Sequence, residues 1–327
     1  MLVLGEKSEG GGIMNKYLTV KRIEFAVTYS CNARCKHCYS IYGKGAFPAH
    51  IDKSLALEIV RKVGRKYKPE SIMTFGGEPM LFPEIVCAIH KEAASVGIPL
   101  REVITNGYWS NNSGRIKEIA KNLAESGVNS IIISVDAFHQ EHVPLDIVRK
   151  TAEACLQAGI EDISWDPCWV ISEDDYNRYN RKTKFILKEL EDLPIKNSEG
   201  NVMEPEGLAL VNLKEFLPPR KKIPAGKCGD IPYTDPLDSV KSIYVEPDGR
   251  IAVCKDFYIG NASKKDIVNL IESYDPFKIP EMKAIIENGM KGLIEWARTK
   301  GVEPDPEGYY SICQMCTDIR KSKQKLK

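Results

Sequence analysis

The run Ser130-Ile-Ile-Ile-Ser-Val135 constrains this chain more than any other segment. An unbroken apolar stretch of this kind reads as a strand buried on both faces, as in a parallel sheet covered on each side. Parallel strands need a crossover, usually helical, between them. The neighbouring sequence supplies both elements. Strands are expected at residues 23–30, 71–75, 103–105, 130–135 and 162–170, with a sixth at 207–213. Helices are expected at 55–67, 83–96, 113–126, 145–158 and 176–193. In the first helix Leu55, Ile59, Val63 and Tyr67 share a face behind a cap at Ser54. Pro83 sits in a first turn, where its missing N–H costs nothing. Gly127 and Gly159 close two of the other helices. The fold class is therefore α/β, a partial (β/α)6 parallel barrel.

The pattern changes after Leu217. Pro218-Pro219 and the basic run Arg220 to Lys222 read as a linker. Residues 242–245 and 250–253 then flank Glu246-Pro-Asp-Gly249, whose Asp-Gly pair favours a β-hairpin. Helical patterns at 266–274 and 281–298 follow, and the chain closes with Cys313-Gln-Met-Cys316. The expected organisation is an N-terminal extension at 1–19, a core at 20–217 and a small α+β domain at 218–327. Met14 is an alternative start. The formal net charge of the 327 residues is +1, so no global field favours nucleic acid or an anionic membrane. The basic cluster from Arg320 to Lys327 reads as a solvated, frayed terminus. No stretch is apolar and long enough to span a bilayer, and the first residues lack the pattern of a signal peptide. A cytoplasmic location is expected.

Ten cysteines in such a compartment point to metal binding or catalysis rather than disulfides. Cys87 and Cys155 read as small buried hydrophobes. Cys31, Cys35 and Cys38 lie in Cys31-Asn-Ala-Arg-Cys-Lys-His-Cys38-Tyr39, directly after the first strand. A 4Fe–4S cluster normally takes four cysteines, so three leave one iron open. A structural zinc, with His37 as a further ligand, is the alternative. Three polar segments fall at strand ends, where parallel α/β sheets bind ligands. They are Gly76-Gly77-Glu78-Pro79, Thr105-Asn106-Gly107 and Ser134-Val135-Asp136.

With these motifs the barrel segment resembles the radical S-adenosylmethionine superfamily. The resemblance implies that Cys31, Cys35 and Cys38 hold a 4Fe–4S cluster. That cluster would cleave S-adenosylmethionine reductively to a 5′-deoxyadenosyl radical, which takes hydrogen from an unactivated carbon. The electron would come from a low-potential donor such as flavodoxin or ferredoxin. The resemblance also implies that Gly76, Gly77, Glu78 and Pro79 hold the cofactor's amino group and that Asn106 lines its pocket. Ser134 and Asp136 would take its carboxylate or ribose hydroxyls, and Tyr39 would pack near the adenine. Asp136, His139 or His142, and Cys168 are the candidates for catalytic work, with a buried structural thiol as the competing reading for Cys168.

Cys228, Cys254, Cys313 and Cys316 are similar to the ligand set of the superfamily's short auxiliary (twitch/SPASM-like) domain. They imply a second 4Fe–4S cluster, fully ligated and suited to electron transfer; a structural zinc held by the same four thiolates is the alternative. The short build, the Asn106-Gly-Tyr-Trp109 run and the late Cys-x-x-Cys resemble members that modify peptides or proteins. A dehydrogenase of a small polar metabolite is the second reading, and a non-catalytic zinc scaffold is the third.

Overall fold

Residues 18–28 form the strand on which the molecule is built. In a computed structural model that describes residues 15–39, 47–160, 162–232, 234–255 and 257–325, β1 (Leu18–Thr28) has neighbours on both sides and its last four residues are buried. Residues 1–14, with the glycine-rich segment and Met14, lie outside the described residues. On one side of β1, four strands follow in parallel: β2 (Ser71–Gly76), β3 (Leu100–Thr105), β4 (Ser130–Ser134) and β5 (Asp162–Asp166). The connecting helices α1 (Lys53–Tyr67), α2 (Pro83–Ser95), α3 (Ser113–Glu125) and α4 (Leu145–Gln157) pack side by side in chain order. Their apolar faces close one core with the sheet, including Phe25, Ile59, Ile89, Ile131, Val148 and Cys155. The sheet is a partial barrel and does not close.

Three expectations are corrected. The cap of α1 is Asp52, not Ser54. Ile51 N–H binds Val27 O, which holds the chain extended up to Asp52, and the Asp52 side chain then accepts from Leu55 N–H at 2.8 Å. The sixth strand is not at 207–213. After β6 (Cys168–Trp169) and α5 (Arg178–Lys188), the two-residue strand β7 (Lys196–Asn197) pairs with β5 instead, and β8 (Asn201–Val202) then pairs in parallel with β6 in a separate two-stranded sheet. Residues 209–212 form one helical turn, α6 (Ala209–Asn212), as Ala and Leu favour. The third correction is at the chain's end. α9 (Ile312–Lys325) runs through most of the basic tail, and Arg320 lies over the Phe257 ring at 3.6 Å.

The C-terminal part adds to the same sheet. β9 (Val240–Val245) lies parallel to β1 on its free side, with Ile23 opposite Ile243. β10 (Arg250–Cys254) and β11 (Phe257–Asn261) continue it antiparallel. α7 (Ile267–Glu272) and α8 (Pro280–Arg298) follow, and α8 is broken at Gly289, where φ is 59°. No helix among the described residues is long and apolar enough to cross a membrane.

Candidate radical-cofactor site

β1 ends in the loop that carries Cys31, Cys35 and Cys38. Ser30 N–H is held by Thr28 Oγ1, and Cys38 N–H bonds Cys35 O at 3.1 Å, which curls the loop back on itself. Asn106, at the end of β3, donates to Asn32 Oδ1 at 2.8 Å and lies 3.8 Å from the Cys31 sulfur. Asn32 in turn donates to Tyr108 O. Asn106 and Asn32 thus tie this loop to β3. Burial raises the Cys31 thiol to about 11.

Gly76 and Gly77 show why glycine is needed at the end of β2. Gly77 N–H bonds Thr28 O at 2.7 Å and Glu78 N–H bonds Ser30 O at 2.8 Å. A Cβ on Gly76 would lie 2.2 Å from Thr28 O, and one on Gly77 would lie 2.1 Å from Ser30 O. Gly76 also has φ +138°, a region closed to most side chains. The Glu78 carboxylate is fully buried and accepts from Thr105 Oγ1, Asn106 N–H and Met80 N–H. Burial raises it to about 7 against those three donors. It locks β2 to β3 from inside, and Pro79 is buried beneath it.

Asp136 follows β4 and is fully buried. Its Oδ1 accepts from the N–H groups of Phe138 and His139, and its Oδ2 from Cys168 N–H and His139 Nδ1 at 2.8 Å. Burial alone would raise Asp136, but the charge and hydrogen bond of His139 hold it at about 2. Burial alone would lower His139, but Asp136 and then Cys35 hold it well above 6.5. His139 lies against the cysteine loop through His37. His37 lies beside it, centroids 5.1 Å apart, with Nδ1 buried and unpaired. Burial lowers His37 to about 4.

The other sequence candidates are placed as follows. Ser134, half-buried at the carboxyl end of β4, stands opposite Asp166. Asp166 accepts from Ser198 Oγ and Asn201 Nδ2. His142 caps the single turn after Phe138 by bonding His139 O. Cys168 is buried in the core, its thiol pushed well above 9 by burial. Tyr39 lies under the Lys255 ammonium at 4.9 Å, on the side of the C-terminal cysteines.

Those four cysteines come from separate elements: Cys228 from a loop, Cys254 from the end of β10, and Cys313 and Cys316 one turn apart at the start of α9. They are electrostatic neighbours of one another. Burial raises Cys228 and Cys313 to about 12. Segment 204–208 joins the two groups. Leu208 N–H bonds Cys38 O at 2.9 Å, and Glu204 and Glu206 pair with Lys255. Sequence reasoning passed over this bridge. It also passed over the buried Glu246 carboxylate, which accepts from Tyr29 and Tyr258. Glu246 sits in a hairpin turn, and nothing local in its sequence distinguishes it from a solvated turn acid.

Among the described residues, one trio of ligating atoms lies within 4.8 Å of one another, His37, Asp136 and His139. Asp136 there is spent on four N–H donors, which makes the trio a hydrogen-bonded set rather than a cation site. Among the described residues, no three thiol sulfurs come that close. Around one tetrahedral zinc with bonds of about 2.3 Å, sulfurs stand only about 3.8 Å apart. The thiolates of both groups are donors that iron–sulfur clusters and zinc alike accept, and the first group supplies three of them on one loop.

Residues 25–180 match the Radical SAM superfamily. A pre-heme d1 synthase of Dinoroseobacter shibae is 33% identical over 135 residues, covering 41% of this chain and 33% of that protein. A GTP 3′,8-cyclase of Aeromonas hydrophila is 28% identical over 153 residues, covering 43% of each. The chain thus spans less than half the length of these curated relatives. Among solved structures, native anSMEcpe with bound AdoMet shares the fold with a TM-score of 0.53 at 14% identity, covering 94% of this chain and 100% of that one. Residues 25–180 of this chain therefore form a Radical SAM domain, a family that implies a 4Fe–4S cluster and S-adenosylmethionine.

Proposed function

We propose that this radical SAM enzyme takes hydrogen from a side chain or the backbone of a peptide or protein. In this reading Cys31, Cys35 and Cys38 hold the family's cluster, and Cys228, Cys254, Cys313 and Cys316 hold a second 4Fe–4S cluster. Residues 218–327 form the auxiliary part that carries it. When bound, the first cluster supplies the electron that splits the sulfonium cofactor. The chain's own residues bind, orient and exclude water. Gly76 and Gly77 let the β2 backbone close on Thr28 and Ser30. Asn106 and Asn32 fix the Cys31 end of the loop, and Ser134 offers a hydroxyl at the mouth for a cofactor carboxylate or ribose.

The observation that carries the peptide reading is on the segments following β5. Ile171, Tyr176, Val202 and Val211 are large apolar side chains, each more than half exposed, on the stretch that passes the carboxyl end of the sheet. A small polar metabolite does not need them. Ile171 is also held at φ 65°, a strained conformation for a β-branched residue. One solved neighbour, of TM-score 0.52, is described with AdoMet and a bound peptide, which agrees with this reading.

The second reading is a dehydrogenase of a small polar metabolite. It is favoured by Asp166, Ser198 and Asn201 gathered at the end of β5 and by curated relatives whose names include GTP 3′,8-cyclase. Anaerobic incubation with reductant, S-adenosylmethionine and deuterated candidates separates the two. Deuterium appearing in 5′-deoxyadenosine from a peptide supports the proposal. Transfer from small metabolites alone overturns it.

A further inference from the structure

The junction between β1 and the cysteine loop is held from two sides. On the β2 side the bonds are backbone: Thr28 O takes Gly77 N–H, and Ser30 O takes Glu78 N–H. On the other side the ladder to β9 ends with Phe25 opposite Val245. Beyond that point a side chain takes over. Tyr29 lies between the two bonded carbonyls and two residues before Cys31, and its hydroxyl donates to Glu246, the residue after Val245. Glu246 is 3% exposed and also accepts from Tyr258 of β11 at 2.9 Å. Both of its oxygens accept, so the group is a carboxylate. With the Tyr29 hydrogen committed to Glu246, Tyr244 donates to the Tyr29 oxygen at 2.6 Å. The Tyr244 ring stands edge-on to Phe75, the residue before Gly76, with centroids 5.4 Å apart. The hairpin after β9 thus reaches both segments of the cofactor site, the cysteine loop through Tyr29 and the glycine segment through Phe75. Hydrogen bonds to a carboxylate are among the strong ones, and a buried carboxylate is costly to leave unpaired.

We infer that Glu246 is a positioning residue: through Tyr29 it pins the start of the cysteine loop against the glycine segment, and S-adenosylmethionine affinity depends on that clamp. Glu246 acts without touching the cofactor. A loop fixed before binding loses less freedom when the ligand arrives, so a clamp of this kind appears as affinity. It also makes the hairpin of the C-terminal part a support of the first site. This rests on the reading that the cysteine loop and the glycine segment hold the cluster and the cofactor.

The test compares two losses of a phenol hydrogen bond in the reconstituted full chain. Tyr29→Phe removes the loop's donor and keeps the ring that packs on Phe47. Tyr274→Phe removes a buried hydroxyl that bonds Leu237 O at 2.6 Å instead. In anaerobic titration calorimetry with S-adenosylmethionine, at equal iron content, Tyr29→Phe should bind about tenfold more weakly and Tyr274→Phe as wild type. Glu246→Ala should match Tyr29→Phe. Glu246→Gln keeps an oxygen for the phenol and should recover most of the affinity. Amide exchange over residues 29–38, measured on the full chain without added cofactor, should quicken in Tyr29→Phe and not in Tyr274→Phe. Wild-type affinity in Tyr29→Phe, equal weakening in the two phenol variants, or Glu246→Ala binding as tightly as Glu246→Gln overturns the inference. So does unaltered exchange over residues 29–38, which also decides the matter if Tyr29→Phe loads less iron. If Glu246→Ala does not fold, the two phenol variants carry the comparison. A wild-type chain that takes up no cluster or binds no S-adenosylmethionine overturns the family reading instead, and the exchange measurement still reads the clamp.

Discussion

The two cysteine groups are built in opposite ways. The first lies on one short loop with strand ends packed around it: Gly77 after β2, Asn106 after β3, and His139 from beyond β4 beside His37. The second draws its thiols from a loop, a strand end and a helix start, and no element by itself brings more than two of them together. A local motif carries its own geometry. A dispersed one depends on the whole fold around it, so the second group should be the more dependent on its guest and the less tolerant of disturbance elsewhere.

The largest test of that contrast is direct removal. Replacing Cys31, Cys35 and Cys38 together by alanine should reduce 5′-deoxyadenosine formation to background while the C-terminal iron remains. Replacing Cys313 and Cys316 should remove the second iron complement and leave cofactor cleavage measurable. Iron analysis and chromatography of the nucleoside check both. Equal loss of cleavage in the two variants, with the first cluster shown to be present by EPR, would break the contrast.

The glycines offer the next largest effect. In Gly77→Ala the new Cβ meets backbone, Ser30 O at 2.1 Å, which cannot swing away as a side chain would. Overpacking of this kind costs about 1–3 kcal/mol, and here it also displaces the cysteine loop. Lower denaturant midpoint and weaker S-adenosylmethionine binding are expected together. Gly159→Ala is the control. Its Cβ would meet nothing within 4 Å, so only its left-handed φ of 88° is strained, and cofactor binding should be unchanged. Calorimetric titration with the cofactor distinguishes the pair.

What was legible followed the same division. The buried run at 130–134, the glycine-closed helices and the three-cysteine loop each carry their signal within a few consecutive residues, and all of them form. The misplaced sixth strand shows the limit. Residues 207–213 contain apolar side chains in a strand-like pattern, yet Gly207 is drawn against Cys38 and Tyr39, and the following turn becomes helical. The contact that decides it is far away in sequence. β11 was missed because Tyr258, Gly260 and Asn261 make a weak strand that forms only against β10. Asp136 is legible as a polar residue at a strand end, but its bond from Cys168 N–H comes from another strand, which no local pattern announces.

Glu78 sharpens the comparison through pH. Its folded value of about 7 lies above the usual 4.5, so the folded chain keeps a proton that the unfolded chain releases. The folded state therefore loses stability as pH rises from 4.5 to 7, by about 3 kcal/mol in all, and the slope vanishes above that. Glu78→Gln should remove this slope. Urea unfolding from about pH 5 to pH 8 should show the variant gaining on wild type as pH rises. A constant difference across that range would mean that the carboxylate is already ionised in the fold.

The smallest effect is expected at Lys255, on the bridge between the two groups. Its ammonium pairs with Glu204 and Glu206 and lies over Tyr39, so it links the residue after Cys254 to the residue after Cys38. Its side chain is 38% exposed, and solvent screens such a pair, so Lys255→Met should cost less than about 1 kcal/mol. Methionine keeps most of the packing over Tyr39 and removes only the charge. The consequence should appear at the second group rather than the first. Glu204 and Glu206 lose the Lys255 countercharge near Cys313, where their charges oppose thiolate formation. Loading of the C-terminal iron should therefore slow, while the first cluster loads at the wild-type rate. Stopped reconstitution followed by iron analysis of the chain and its Cys313/Cys316 variant separates the two rates. If both groups slow equally, segment 204–208 couples them, and the dispersed group is no more independent of the local one than the two loops are of each other.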